Sequence, residues 1–245
     1  MNAMAGSVAR TSAASERRFF LAMTLAVATV VLVGFSRSFY LRPLFPGWPA
    51  PSETIFYVHG AVLTAWFALL FVQAALISSG RVALHRTLGA VGVALAIVLV
   101  ILTTYGALIA ARRASGFVGV PLPGLQFLAV PLMNIVLFAA LFAFAVINRH
   151  RPQHHKRAVL LATIVLVTAA FSRWPFIKAL GPAGYFGFTD LCLLPLLIWD
   201  WRSRGRIHPV TLSGGLALIA QPLLIPLTFS PAWLNFARWV TSLPG

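Results

Sequence analysis

Seven apolar runs divide the chain, at 19–39, 55–79, 88–111, 125–147, 158–177, 183–201 and 209–229, separated by short polar stretches. Each run approaches the ~20 residues that an α-helix needs to cross a ~30 Å hydrocarbon core. Other backbone conformations would leave polar groups unsatisfied in lipid. The pattern therefore predicts an all-α polytopic membrane bundle of seven transmembrane helices. A final piece, 231–243, carries Trp233, Trp239 and Arg238 and reads as an interfacial amphipathic helix. The expected organisation is a cytoplasmic tail (1–18), a seven-helix domain (19–229) and an interfacial C-terminal segment (230–245). The Glu16-Arg17-Arg18-Phe19-Phe20-Leu21 string looks like part of a twin-arginine export signal. No small-residue cleavage site follows it, so Arg17 and Arg18 read as anchors of the first helix.

Composition reinforces the pattern. Sixty per cent of residues are hydrophobic and 9% charged, against roughly 25% charged in soluble domains. Lys and Arg number 19 against four acids. Because the basic residues sit between apolar runs, their expected partners are membrane lipids, with anionic headgroups at the cytoplasmic face, and not nucleic acid. Twelve of the 19 fall on the side of the N-terminus, with Asn148–Arg157 the densest stretch. The positive-inside rule then predicts a cytoplasmic N-terminus and an outside C-terminus. The single cysteine, Cys192, excludes an internal disulfide and a Cys-based zinc site.

Polar groups inside the apolar runs are the natural candidates for function. Asp190 lies in a hydrophobic stretch, and a carboxylate there calls for a partner. Counting from the cytoplasmic basic residues puts Asp190 about 15 Å up and Arg173 about 24 Å up. This predicts a buried Arg173–Asp190 pair between helices 5 and 6. His59, Trp66 and Gln73 recur every seven residues and share one face of helix 2, expected to point into the bundle. Together these residues suggest an outward-open polar cavity lined by Arg37, His59, Tyr105, Arg173 and Asp190, holding a small anionic or amphipathic ligand or relaying protons. Asn134, Gln73 and Gln221 read as interhelical hydrogen-bonding groups.

Helices 3, 5 and 7 each begin near a histidine, at Leu84-His85-Arg86, His154-His155-Lys156-Arg157 and Arg206-Ile207-His208-Pro209. His85, His155 and His208 could ligate a haem at the cytoplasmic edge. The surrounding arginines and the helix N-termini favour anions over a bare metal ion, so no metal site is expected. Catalysis stays open: there is no Gly-rich phosphate loop, Gly-x-Ser-x-Gly or His-Glu-x-x-His. The only lysines, Lys156 and Lys178, lie toward segment ends, away from where a retinal Schiff base would sit.

The string His59-Gly60, Trp66, Gln73, Gly80-Arg81, Leu84-His85-Arg86-Thr87-Leu88-Gly89, His155-Lys156-Arg157 and Arg204-Gly205-Arg206-Ile207-His208-Pro209 resembles a family of uncharacterised bacterial multi-pass membrane proteins. The resemblance spans helices 2 to 7 and implies a bacterial inner-membrane location. It brings no activity or catalytic residue. The sequence-level expectation is a protein that binds, senses or moves a small molecule. The competing expectations are a haem-binding redox module and an accessory assembly subunit.

Overall fold

The computed structural model describes residues 13–48, 53–117, 120 and 122–243. Residues 1–12 of the expected tail, and the last two residues of the C-terminal segment, lie outside them. Seven helices are long and apolar enough to cross a membrane: α1 (Ala13–Gly34), α2 (Thr54–Ser78), α3 (Val82–Arg112), α4 (Gly124–Ile147), α5 (Pro152–Phe171), α6 (Gly181–Arg204) and α7 (Pro209–Phe229). An eighth helix, α8 (Pro231–Ser242), follows. Among the described residues there is no strand. The protein is an all-α, multi-pass membrane bundle.

The seven spans are not equivalent. In α5, 72% of the most apolar window is buried within the bundle, against 28–33% in the other six. It packs against α1, α4, α6 and α7, and Leu161, Ala162, Ile164 and Val165 are wholly enclosed. Small residues let its neighbours approach. A Cβ on Gly34 of α1 would come within 2.7 Å of the Ala170 carbonyl, and one on Gly214 of α7 within 2.7 Å of Leu161 Cδ1. Such close crossings are how helices associate in lipid, where apolar burial alone gives no preference for protein over acyl chain.

Hydropathy misplaces the ends of this central helix. The expected start at 158 omits His154, His155, Lys156 and Arg157, which occupy its first two turns behind Pro152 at the N-terminus. Pro suits a first helical position because its missing N–H would have had no intrahelical partner. Polar residues at a helix start mimic a loop in a hydropathy profile, and here they are covered by α1, α6 and α7. At the other end α5 stops at Phe171, before Arg173, and a short helix (Pro175–Ala179) leads into α6. Helix α1 also begins earlier than its apolar run, so Glu16, Arg17 and Arg18 are helical.

Two prolines shape α7. After Ala220 it tightens into a 3-10 stretch, Gln221–Phe229, with Pro222 near its start and Pro226 inside it. Pro cannot donate the next α-helical hydrogen bond, which favours the change of winding. The last helix is capped by the Ser230 hydroxyl, which accepts from the Trp233 backbone N–H at 3.2 Å. It lies across one end of the bundle. Ala237 is fully buried, the Trp233 indole donates to the Leu125 carbonyl at 2.9 Å, and Arg112 donates to the Leu243 carbonyl. Phe236 and Trp239 stay exposed, giving the amphipathic face expected of 231–243.

Candidate functional site

The bundle has two polar ends, and they differ in how charge is satisfied. At the end holding the start of α1, Arg157 of α5 and Asp200 of α6 are both fully buried and form an ion pair. Arg157 Nε donates to Asp200 Oδ1 at 3.0 Å, and Nη2 meets the same oxygen. Its Nη1 donates to the Gln153 backbone carbonyl at 3.1 Å and to Gln153 Oε1. The second carboxylate oxygen, Oδ2, accepts from the Thr211 hydroxyl at 2.6 Å and from the His208 backbone N–H at 3.1 Å. Gly205, with φ 68°, ends α6 in the left-handed conformation and turns the chain so that His208 and Thr211 reach back to that oxygen. A buried ion pair is tolerable when its remaining donors and acceptors are filled in this way. The network ties α5, α6 and α7 together.

The histidines surround this network in two pairs. The His85 and His155 rings lie 6.3 Å apart, and the His154 and His208 rings 4.9 Å apart. Of the three histidines expected as haem ligands, His85 and His155 face each other, and His208 faces His154. His154 and His155 are neighbours on a helix and point about 100° apart, so each serves a different partner. His208 caps α7: its Nδ1 accepts from the Val210 backbone N–H at 3.1 Å, which requires that nitrogen to be unprotonated. Burial, followed by the nearby Arg157 and Arg204 charges, pushes its imidazole down to about 4. His155 Nδ1 lies 2.9 Å from the Ala145 carbonyl. Among the described residues no three His, Cys, Asp or Glu side chains are grouped to hold a metal ion. Glu16 completes this end by pairing with Lys156 at 2.6 Å, while Phe19 stacks on Trp199 at 4.4 Å.

At the opposite end, a cleft of about 220 Å³ opens between the end of α1 and the α5–α6 connection. Arg37, Arg173, Trp48, Trp174 and Phe176 line it, together with residues of the α1 terminus. The helix unwinds there through a π-helical turn, Ser36–Tyr40, held by a hydrogen bond from Leu41 N–H to the Ser36 carbonyl at 2.7 Å. This turn, a common mark of functional sites, presents Arg37 to the cleft mouth. The Arg37 guanidinium lies 5.6 Å from the Phe45 ring centre and 5.4 Å from that of Trp48. Arg173 lies 4.2 Å over the Phe35 ring and donates to the Ala169 carbonyl. Neither arginine has an acidic partner among the described residues. Three of the chain's four acids are committed elsewhere: Glu16 to Lys156, Glu53 to Arg113 and Asp200 to Arg157.

The fourth acid, Asp190, corrects the sequence expectation. It is half-buried on α6, makes no ion pair among the described residues, and does not line the cleft. Helix α5 begins at Pro152 and ends at Phe171, so Arg173 lies beyond the helix and not within it. The buried arginine–aspartate pair exists, but between Arg157 and Asp200, both of which the sequence presents as boundary charges. Of the five expected cavity residues, Arg37 and Arg173 come together. His59 is near enough to feel the charge of Arg173. Tyr105 is exposed on α3 and stands apart from the cleft.

Helix α2 carries its seven-residue stripe into the bundle as expected. Trp66 is 3% exposed and packs edge-on against Phe138 and Phe142 of α4, each at 5.1 Å. The Gly60 position admits the Phe39 ring, which a Cβ would meet at 2.6 Å. The expected interhelical bonding by Asn134, Gln73 and Gln221 is only partly available. Asn134 Oδ1, Gln73 Oε1 and Gln221 Nε2 are buried with no hydrogen-bond partner among the described residues. Comparison with protein-family models, with curated proteins and with solved structures returns no match for this chain.

Proposed function

We propose that this protein binds an anionic amphiphile at the cleft formed by Arg37 and Arg173, with the headgroup on the two guanidinium groups and the chain along the apolar surface of α1. The observation that carries this reading is two arginines lining one cleft without a carboxylate beside them. Their stacking on Phe35, Phe45 and Trp48 occupies the guanidinium faces and leaves N–H edges for an anion. Charge-assisted hydrogen bonds of this kind suit phosphate and carboxylate alike. The excess of basic residues on the side of the N-terminus supports placing that side in the cytoplasm and the cleft on the outer face of a bacterial inner membrane. The family resemblance carried by the His85-Arg86 and Arg206–Pro209 strings agrees with that location.

The test uses purified protein in neutral detergent, titrated with dodecyl phosphate, dodecanoate and dodecyltrimethylammonium while tryptophan fluorescence is followed. Both anions should bind, the cation should not, and the Arg37→Gln/Arg173→Gln variant should bind the anions at least about tenfold more weakly, the loss expected for one charge-assisted contact. Equal binding of the cation, or undiminished anion binding by the folded double variant, overturns the proposal. A stronger response to dodecyl phosphate than to dodecanoate would identify the headgroup as a phosphate.

A further inference from the structure

The charge around the cleft sets the charge that its ligand must bring. The chain has no acidic residue between Glu16 and Glu53, and none between Glu53 and Asp190. The two segments that form the cleft, 33–48 and 173–176 with the rest of the short helix, fall wholly inside those gaps. They carry Arg37, Arg42, Arg173 and Lys178 and no carboxylate. The lining itself holds Arg37, exposed at the mouth, and Arg173, half-buried. An arginine does not shed its proton to relieve such a charge. His59 of α2, near enough to feel Arg173, can only add positive charge. The countercharge of this cleft therefore has to arrive with the ligand.

The number of donors points the same way. Each guanidinium has five N–H donors, and Arg173 commits one group to the Ala169 carbonyl. Stacking on Phe35, Phe45 and Trp48 covers the flat faces and leaves the edges. A carboxylate offers two oxygens and one charge, which match a single guanidinium fork. A phosphodiester, the linkage of ordinary bilayer phospholipids, also carries one charge. A phosphate monoester offers three terminal oxygens and close to two charges. Arg37 and Arg173 reach the cleft from different elements, the α1 terminus and the α5–α6 connection, so a doubly charged group can meet both. A singly charged one leaves a cation unmatched beside hydrocarbon, where such charge is costly.

Resting on the reading of this cleft as an anion site, we propose that its ligand class is the phosphate monoester dianion, free in solution or at the end of a lipid chain, and that phosphodiester headgroups are rejected. The rejection has a physical purpose. Diester headgroups crowd any cleft at a membrane face, and a site content with one negative charge would be filled by them. Two guanidinium groups with no acid between them favour the rarer monoester by the second charge alone.

The experiment titrates the purified full chain in neutral detergent with dodecyl phosphate and with its methyl diester, at pH 5 and pH 8, following tryptophan fluorescence. The second ionisation of a phosphate monoester lies near 6, so dodecyl phosphate should bind about tenfold more tightly at pH 8 than at pH 5. The diester should bind weakly and equally at both. In Arg37→Gln and in Arg173→Gln one charge remains, and monoester and diester should bind about equally. Inorganic phosphate separates the sources: displacement of dodecyl phosphate at comparable concentration marks a free phosphate as the ligand, and displacement only in large excess marks a lipid. The charged and titratable groups around the site are Arg42 and Lys178 on the cleft segments and His59 of α2, and of these residue types only histidine titrates between pH 5 and pH 8. The pH effect should therefore survive in His59→Gln. Phosphorus NMR of the bound monoester reads its ionisation on wild type, without any variant, and should show the dianion. Diester binding as tight as monoester binding at pH 8 overturns this inference while leaving anion binding at the cleft intact, and so does a bound monoester in its singly charged form. A pH effect lost in folded His59→Gln overturns it as well. Failure of every anion to bind overturns the anion site itself.

Discussion

Arg157 and Arg173 stand near opposite ends of α5, one in its second turn and the other two residues beyond its last. Arg157 is fully buried, and its hydrogen bonds to Asp200 and Gln153 engage all three guanidinium nitrogens. Arg173 rests on an aromatic face, with a single carbonyl as its hydrogen-bond partner among the described residues. The difference separates two uses of a basic residue in a membrane protein. A guanidinium whose three nitrogens are all engaged inside the protein holds helices together, whereas one with a free edge at a cleft is available to something arriving from outside.

The two arginines should differ most at Asp200. Asp200→Leu leaves Arg157 buried and uncompensated, and should destabilise the bundle by ~3–5 kcal/mol. A large drop in thermal melting in detergent checks this. The double variant Arg157→Leu/Asp200→Leu should recover much of the loss, because a buried ion pair replaced by apolar residues is often close to neutral. No recovery would mean that the pair does more than satisfy itself. Thr211→Val removes one hydrogen bond to the buried carboxylate and should cost ~1.5–3 kcal/mol by the same measurement.

A smaller effect should appear with acid. His208 stays neutral in the folded protein down to about 4, whereas an unfolded histidine takes up its proton near 6.5. The unfolded chain therefore binds more protons in that window, so His208 stabilises the fold fully above about 6.5 and loses that contribution as pH falls toward 4. His208→Asn keeps a side-chain acceptor for the Val210 N–H without a titrating group. Melting temperatures of this variant should fall less steeply between those pH values than those of wild type. The smallest effect is expected at Asp190. Asp190 makes no ion pair among the described residues, so Asp190→Asn removes only a half-buried, unpaired carboxylate and should leave stability unchanged or slightly raised. It should also leave dodecyl phosphate binding unaltered. A larger change in either would bring Asp190 back among the groups that matter.

Much of the fold was legible because lipid imposes one rule on every span, and hydropathy reads that rule directly. That Arg37 and Arg173 line one cleft was legible for the same reason, since charge next to an apolar run stands out. The Arg157–Asp200 pair did not stand out. Each partner borders a cluster of basic residues that resembles a surface loop, and 43 positions separate them. Only the three-dimensional crossing of α5 and α6 turns two boundary charges into one buried pair. His154 was passed over for a similar reason: from spacing alone it is indistinguishable from His155, and helical phase decides which ring meets His208.

The burial of α5 also bears on how the protein is made. Its apolar window has a mean hydropathy of 1.2, the lowest of the seven, while α3 and α4 reach 2.5. As the chain emerges from the ribosome, α5 reaches the membrane carrying Arg157 before α6 and α7 have brought Asp200 and Thr211 beside it. It is a poor passenger on its own, and its residence in lipid becomes secure only once α6 and α7 have followed. Chains truncated between α5 and α6 should be the ones that quality-control proteases remove first, and full-length Asp200 variants should share their fate during biogenesis even where the finished bundle would have survived.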